Sequence, residues 1–285
     1  MEQKKTGLVL EGGGMRGIYT AGVLDVFMEQ KICFDGVIGV SAGAIHGCSY
    51  VAGQNGRNIR YYKKYCGDKR FMSFRNLILT GDLVGNQFCY HELPEKLDPY
   101  DYDSFEQSDM EFYVTCSDLE TGKPVYHRIT DMHGEIDWMR ASGSLPYVSR
   151  IVELDGKQLL DGGCTDSIPV TAFQKMGFPR CVVVETRDQG YVKTPERTWL
   201  AGIWYRNYPR FVEALKQRHQ MYNGSRQEIE EMAAAGEIFL IRPGQVLDIG
   251  RTESSAEKLQ QVYEIGRKDA MASLSTMKAW LEQGV

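Results

Sequence analysis

The sequence predicts an α/β fold in which a mostly parallel central sheet is covered by helices. Two observations carry that expectation. The first fifty residues run strand, loop, helix, strand, turn, helix, the order of a parallel sheet with helical crossovers. Over 285 residues no internal repeat and no low-complexity linker interrupts the pattern, so 1–285 reads as one domain, with 190–285 its least defined part.

Residues 7–11 form a short apolar strand, followed by Gly12, Gly13 and Gly14. A helical pattern begins near Met15, with Ile18, Gly22, Leu24, Val26 and Phe27 on its packing side. A second buried strand spans 34–40, Ser41 stands at the turn, and 44–51 opens another helix. Residues 61–103 are dense in aromatics and turn formers and read only as excursions on one side of the sheet. Strands follow at 111–117 and 125–129, paired across a turn at 121–123, then a short helix over 137–144 ended by Pro146. Asp155-Gly156 suits the positive φ of a tight turn, so 151–154 and 158–160 form a hairpin and Asp161 falls where the second strand runs out. The remainder reads as a helix over 170–176, a strand over 180–186, a long charged helix over 211–236, a strand over 237–242 and an amphipathic helix over 256–283.

Composition narrows the function classes. Hydrophobic residues are 42% and charged residues 25%, which is globular usage and argues against disorder. A formal charge of −5 with scattered basic residues gives no electrostatic reason to expect nucleic acid. Residues 1–5 lead straight into a strand too short for a secretion signal. The uncharged stretch 36–53 is rich in Gly, Ser and Ala and reads as a buried strand and helix, not a membrane span. Seven dispersed cysteines without a Cys-x-x-Cys pair fit free thiols in a reducing cytoplasm, and no ligand spacing supports a metal site. The expected cofactor set is none.

Gly39-Val40-Ser41-Ala42-Gly43 is a Gly-x-Ser-x-Gly pentapeptide between a buried strand and a helix. Such a turn is so sharp that residues two before and two after the serine must lack side chains, and it leaves Oγ exposed beside a helix N-terminus. The plain alternative is a small-residue crossing of helix on strand. Gly12 to Gly17 also fits Gly-x-Gly-x-x-Gly, a dinucleotide fingerprint, but that site needs an acid at the end of the second strand, where Ser41 stands. Read as an oxyanion hole, the loop converges backbone N–H groups on one point, with Arg16 as a brace or added charge.

A Ser-His-Asp triad lacks its histidine. His219 lies in a charged helix, His46 sits on the helix the elbow starts, and His91, His127 and His133 have no partner spacing. A carboxylate can act as base if burial raises its pKa, and Asp161-Gly162-Gly163 at a strand end is the best candidate. Alone it would be an ordinary Asp-Gly turn.

Taken in order, Gly12-Gly13-Gly14-Met15-Arg16-Gly17, the Ser41 pentapeptide and Asp161-Gly162-Gly163 resemble the patatin-like phospholipase and acyl hydrolase family. Residues 141–146 resemble the stretch ahead of its Asp-Gly-Gly, and 68–85, with Thr80-Gly81-Asp82, resembles a bacterial branch. The resemblance spans the first two thirds of the chain. It implies a three-layer α/β/α sandwich and metal-free hydrolysis of lipid acyl esters. It implies Ser41 as nucleophile, Asp161 as base, Gly12, Gly13, Gly14 and Arg16 as the oxyanion hole, and Gly39 and Gly43 as elbow support. The expected partner is a lipid or other acyl ester, with a cytoplasmic location peripheral to the membrane and no nucleic acid. Residues 199–211 read first as a packed amphipathic helix kinked at Pro209, and second as a membrane contact or acyl-pocket roof. The rival functions are a dinucleotide-binding module on Gly12–Gly17 and an idle interaction protein.

Overall fold

The structure is a computed structural model that describes residues 5–283; the lead residues 1–4, read above for a leader, and residues 284–285 lie outside it. The first strand, β1 (Thr6–Leu10), divides the molecule by its own alternation. Leu8 and Leu10 enter one apolar cluster and Val9 enters another. Burial on both faces is what a central parallel strand requires. Four further strands run parallel with it: β2 (Gly36–Val40), β3 (Glu111–Asp118), β7 (Arg180–Val184) and β8 (Ile238–Ile241), in spatial order β3-β2-β1-β7-β8. Antiparallel strands finish the other end: β4 (Lys123–Ile129), β5 (Val152–Leu154) and β6 (Lys157–Asp161). The mostly parallel sheet expected from the sequence is present.

One detail of register positions the site. β2 pairs with β3 only as far as Val40 opposite Thr115. β4 runs along the opposite edge of β3 through Asp118, so β6, which begins pairing at Cys116 opposite Asp161, continues the edge that β2 leaves. Ser41 and Asp161 therefore emerge at consecutive positions of one strand edge.

Helices cover both faces. On the Leu8 side lie α1 (Ile18–Glu29), α2 (Ala42–Val51), α3 (Arg57–Tyr65) and α10 (Ala256–Glu282). On the Val9 side lie α7 (Val170–Lys175) and α9 (Pro209–Ala234), giving three layers. A third apolar cluster joins Leu160 at the end of β6 to α8 (Trp199–Trp204) and the start of α9 through Ala201, Tyr205 and Phe211. The two longest-separated helices in sequence, α1 and α10, approach most closely at glycines. A Cβ on Gly22 would lie 2.2 Å from the Tyr263 carbonyl oxygen, and one on Gly266 would lie 2.1 Å from that of Tyr19.

The stretch that sequence left as excursions is helical: α3, α4 (Phe74–Thr80), a π-type helix at Phe88–Leu97 and α5 (Tyr102–Glu106), with α6 (Ile136–Ser142) further on. Its aromatics Tyr61, Tyr62, Phe71 and Phe88 are buried against the Leu8-side cluster. Segment 199–211 also differs from expectation. It is not one helix kinked at Pro209: α8 ends at Trp204, and Pro209 occupies the first turn of α9. Proline has no N–H to donate and its φ suits a helix start, so it begins a helix there.

Candidate active site

Ser41 occupies a strained turn. Its φ of 53° and ψ of −119° are unusual for a residue with a side chain, and it stands directly between β2 and α2. A Cβ on Gly39 would lie 2.4 Å from the Ala44 amide nitrogen, and one on Gly43 would lie 2.4 Å from the Leu10 carbonyl oxygen. Those contacts are the steric reason for glycine at both positions. The Ser41 amide donates to Ser142 Oγ at 2.9 Å, and Ser142 Oγ donates in turn to the Thr115 carbonyl at 2.7 Å. The elbow is thus tied to β3 through a buried hydroxyl.

Asp161 closes β6 and is 2% exposed. Its amide donates to the Ser144 carbonyl at 2.8 Å, and its Oδ1 accepts the Gly163 amide at 2.8 Å. Oδ2 has no hydrogen-bond partner among the described residues. Burial pushes the carboxyl above its ordinary pKa; the neighbouring Ser41 hydroxyl, then Arg218 and the Gly163 amide, act against that rise. Ser41 stands close enough to influence the Asp161 carboxyl, although Oδ2 closes no hydrogen bond among the described residues. Arg218 Nε donates to the Gly163 carbonyl at 2.7 Å, so the loop after Asp161 is held from α9.

Gly12, Gly13 and Gly14 line the same basin as Ser41 and Asp161. Gly14 has φ of 57°, a conformation that favours glycine. The loop is braced from behind. Thr186 Oγ donates to the Gly12 carbonyl at 3.1 Å, and Glu11 accepts from both Thr186 and the Tyr222 hydroxyl, the latter at 2.6 Å. Arg16 follows in a short 3-10 turn, is buried, and has no partner for Nε among the described residues. Burial, then the like charge of Arg187, holds its pKa below the usual guanidinium range.

Two cavities of opposite character meet at Ser41. One, of about 1170 Å³ with its open mouth, is apolar and is lined by Ile45, Tyr62, Phe71, Leu83, Tyr90 and Met139 among others. The second, of about 550 Å³, is the basin just described, and Arg187, Lys193, Arg218 and Arg251 complete its wall. Among the described residues no histidine lines either. His46 is buried against Tyr62, ring centroids 5.2 Å apart, and His127 stacks on Trp138 at 3.9 Å. Among the described residues no cluster of three or more His, Cys, Asp or Glu gathers as a metal would need.

The structure thus brings Ser41, Asp161, Gly12, Gly13, Gly14 and Arg16 to one basin, with Gly39 and Gly43 beneath the turn. Sequence reasoning passed over Ser142 as an anchor and Arg218 as a brace. Ser142 lay within a quoted family stretch, but nothing local marked its hydroxyl; Arg218 looked like any solvated charge on a long helix. Arg187, Lys193 and Arg251 also gave no signal, because their convergence depends on the loops after β7 and β8 meeting.

A protein-family model described as patatin-like phospholipase matches residues 8–173, which contain Ser41, Asp161 and the glycine loop. A second model, a domain of unknown function (DUF6363), matches residues 208–282. The uncharacterized protein YjjU of Escherichia coli (strain K12) is 28% identical over 284 residues, 95% of this chain and 77% of that protein. The lysophospholipase nte1 of Aspergillus terreus is 27% identical, over 96% of this chain and 18% of its own length. Neuropathy target esterase sws of Drosophila melanogaster is 25% identical, over 83% of this chain and 17% of its own length. The chain therefore spans under a fifth of those two large relatives. The crystal structure of VipD from Legionella pneumophila superimposes with a TM-score of 0.48 at 14% identity, over 96% of this chain and 67% of that one.

Proposed function

We propose a mechanism on an established premise: this chain belongs to the patatin-like phospholipase family, whose model covers more than half of it. Family membership makes lipid acyl hydrolysis the activity class. Within it we assign a Ser-Asp dyad. Ser41 Oγ attacks the ester carbonyl while Asp161 takes its proton. Amides of the Gly12–Gly14 loop, with Arg16 nearby, stabilise the tetrahedral oxyanion; one such donor is worth about 3 kcal/mol. Asp161 returns the proton to the departing alcohol, leaving an acyl-enzyme. It then activates a water that releases the fatty acid and restores Ser41. The apolar cavity receives the acyl chain.

The observation that carries this reading is Asp161 itself: a buried carboxylate whose second oxygen has no partner, beside a strained serine in a basin free of histidine. Burial suits the role because it raises the carboxyl toward a pKa useful to a base. The whole chain, C-terminal third included, forms the proposed hydrolase domain, a reading supported by the α1–α10 packing and by β8 in the sheet. Seven free cysteines suit a reducing cytoplasm.

Fluorophosphonate labelling tests the nucleophile. Wild type is expected to label and Ser41→Ala to stay unmarked, with hydrolysis of p-nitrophenyl esters lost by about 10⁴-fold or more. Labelling of the alanine variant would remove Ser41 from the mechanism.

We also assign a transient membrane contact to α8. No helix of the described residues is long and apolar enough to cross a membrane, yet Trp199, Ile203 and Trp204 on α8 are each more than 60% exposed. Interfacial tryptophans are typical of helices that lie on a bilayer surface. Wild type is expected to float with liposomes and the Trp199→Ala/Trp204→Ala pair to stay behind; equal flotation would end this assignment.

A further inference from the structure

The basin beside Ser41 holds more positive charge than acyl transfer uses. Arg16 is assigned to the oxyanion; Arg187, Lys193, Arg218 and Arg251 remain. Two carboxylates share the lining, Glu11 and Asp161, and Glu11 accepts from Thr186 and Tyr222. A third, Glu196, reaches in from the extended segment ahead of α8. Its Oε1 alone meets three cations: Lys193 Nζ at 3.6 Å, an Arg218 guanidinium nitrogen at 3.5 Å and an Arg251 guanidinium nitrogen at 3.6 Å. Arg187 makes no ion pair among the described residues, its guanidinium lying 4.0 Å over the Tyr191 ring. Five cations thus face three carboxylates.

The form of the Glu196 contact matters as much as the charge count. Three donors converge on a single oxygen at the outer limit of ion pairing, and none forms the parallel two-bond fork that arginine makes with a well-seated carboxylate. Lys193 and Arg218 side chains are 9% and 14% exposed, so their charges are largely withdrawn from water and strongly favour an anion. Convergent donors of this kind suit a tetrahedral group with several oxygens. Glu196 belongs to no helix or strand and its side chain is 42% exposed, so it can leave.

We propose that this basin is the head-group subsite for a phosphate-type anion, that Glu196 holds it as an internal substitute, and that the favoured substrates are single-chain glycerolipids ending in a phosphomonoester. The inference rests on the acyl-hydrolase reading and sharpens it. Ser41 lines both cavities, so the scissile ester sits between them, with the hydrocarbon chain on the apolar side and the glycerol phosphate among Lys193, Arg218 and Arg251. Water adds across the acyl C–O bond, and the products are a fatty acid and glycerol phosphate.

The test compares kcat/KM of the full chain for 1-oleoylglycerol 3-phosphate and for 1-oleoylglycerol, both kept monomeric. Wild type is expected to favour the phosphate by about tenfold or more. Lys193→Gln and Arg251→Gln each lower that ratio severalfold, and Glu196→Gln raises it. Glycerol 3-phosphate inhibits wild-type hydrolysis of 1-oleoylglycerol competitively and more strongly than inorganic phosphate, an arm that needs no variant to fold. Equal inhibition by the two anions with no preference between the esters means a pocket for free anions, which overturns the head-group assignment. Wild type that cleaves both esters with a ratio near or below one, or variants that keep the wild-type ratio, overturns this proposal alone. Wild type inert to both overturns the hydrolase reading and this one with it.

Discussion

The two cavities that meet at Ser41 are built from different parts of the chain. The apolar one draws chiefly on α2, α3, the helical excursions and α6, all inside the segment that matches the patatin-like family model. The polar basin takes its glycines and Asp161 from that segment, but Arg187, Lys193, Arg218 and Arg251 lie beyond residue 173. Only a few residues, Gly14, Ser41, Leu145 and Arg251, belong to both walls. Apolar burial has no preferred direction, so many aromatic and aliphatic residues can line a chain pocket. An anion site is directional and requires particular cations held at particular angles. The two walls thus divide between the segment that matches the patatin-like family model and the segments beyond it.

Asp161→Asn should have the largest effect of three that follow, because it removes the proposed base from the basin beside Ser41. Ester turnover is expected to fall about 10³- to 10⁴-fold. The sign of its effect on stability is opposite to that of most buried-residue changes. Burial raises the folded carboxyl above its unfolded pKa, so the folded state binds the proton more tightly and stability falls as pH rises through that interval. A buried ionised carboxylate is a cost that asparagine lacks, so wherever the wild-type group ionises the variant should melt at the wild-type temperature or above it. The same rise moves the acid limb of the wild-type pH–rate profile above the ordinary carboxylate range. Calorimetry and a pH series check both; a variant much less stable at neutral pH would contradict the account.

Next in size is the apolar wall alone. Ile45→Trp or Met139→Trp fills space on that side, and each methylene excluded from burial is worth about 0.8 kcal/mol. Displacing four would lower kcat/KM for oleoyl esters relative to butyryl esters by about 200-fold. An unchanged chain-length profile would place the acyl group elsewhere.

Smallest is the pH response of the basin. Burial, then Arg218, with Arg251 and Arg16 adding to it and Glu196 opposing, brings Lys193 down to about 8. Above that value its charge is lost, so the preference for a phosphate head group should decline about two- to fivefold as pH rises through 8. Lys193→Gln should flatten that step; a step that persists would assign it to another group.

These contrasts also explain what could be read from sequence. The strand order of the first fifty residues, the Asp155-Gly156 hairpin and the three glycine motifs were legible because local rules govern them: alternation, positive φ (50° at Asp155, 72° at Gly156) and close approach. Ser41 and Asp161 could be named, but their meeting at Thr115 and Cys116 is a matter of sheet register, which no local pattern encodes. Helices over 57–106 were hidden because their tyrosines and phenylalanines are buried by tertiary packing and carry weak intrinsic helix preference. Pro209 misled for a simple reason: a proline marks a helix boundary without saying on which side the longer helix lies.

The paired glycines of α1 and α10 have a consequence for the order in which the molecule can be completed. Residues near position 20 reach their final neighbours only when those near 266 have been synthesised, since Tyr19 hydrogen-bonds Asp269 and Gly22 abuts Tyr263. Arg251 likewise supplies the carbonyl that receives the Met15 amide at 3.4 Å, just past Gly12, Gly13 and Gly14. A nascent chain on the ribosome therefore carries Ser41 long before Arg218 and Arg251 of the basin wall exist. The proposed ester cleavage should appear only once α10 has been made.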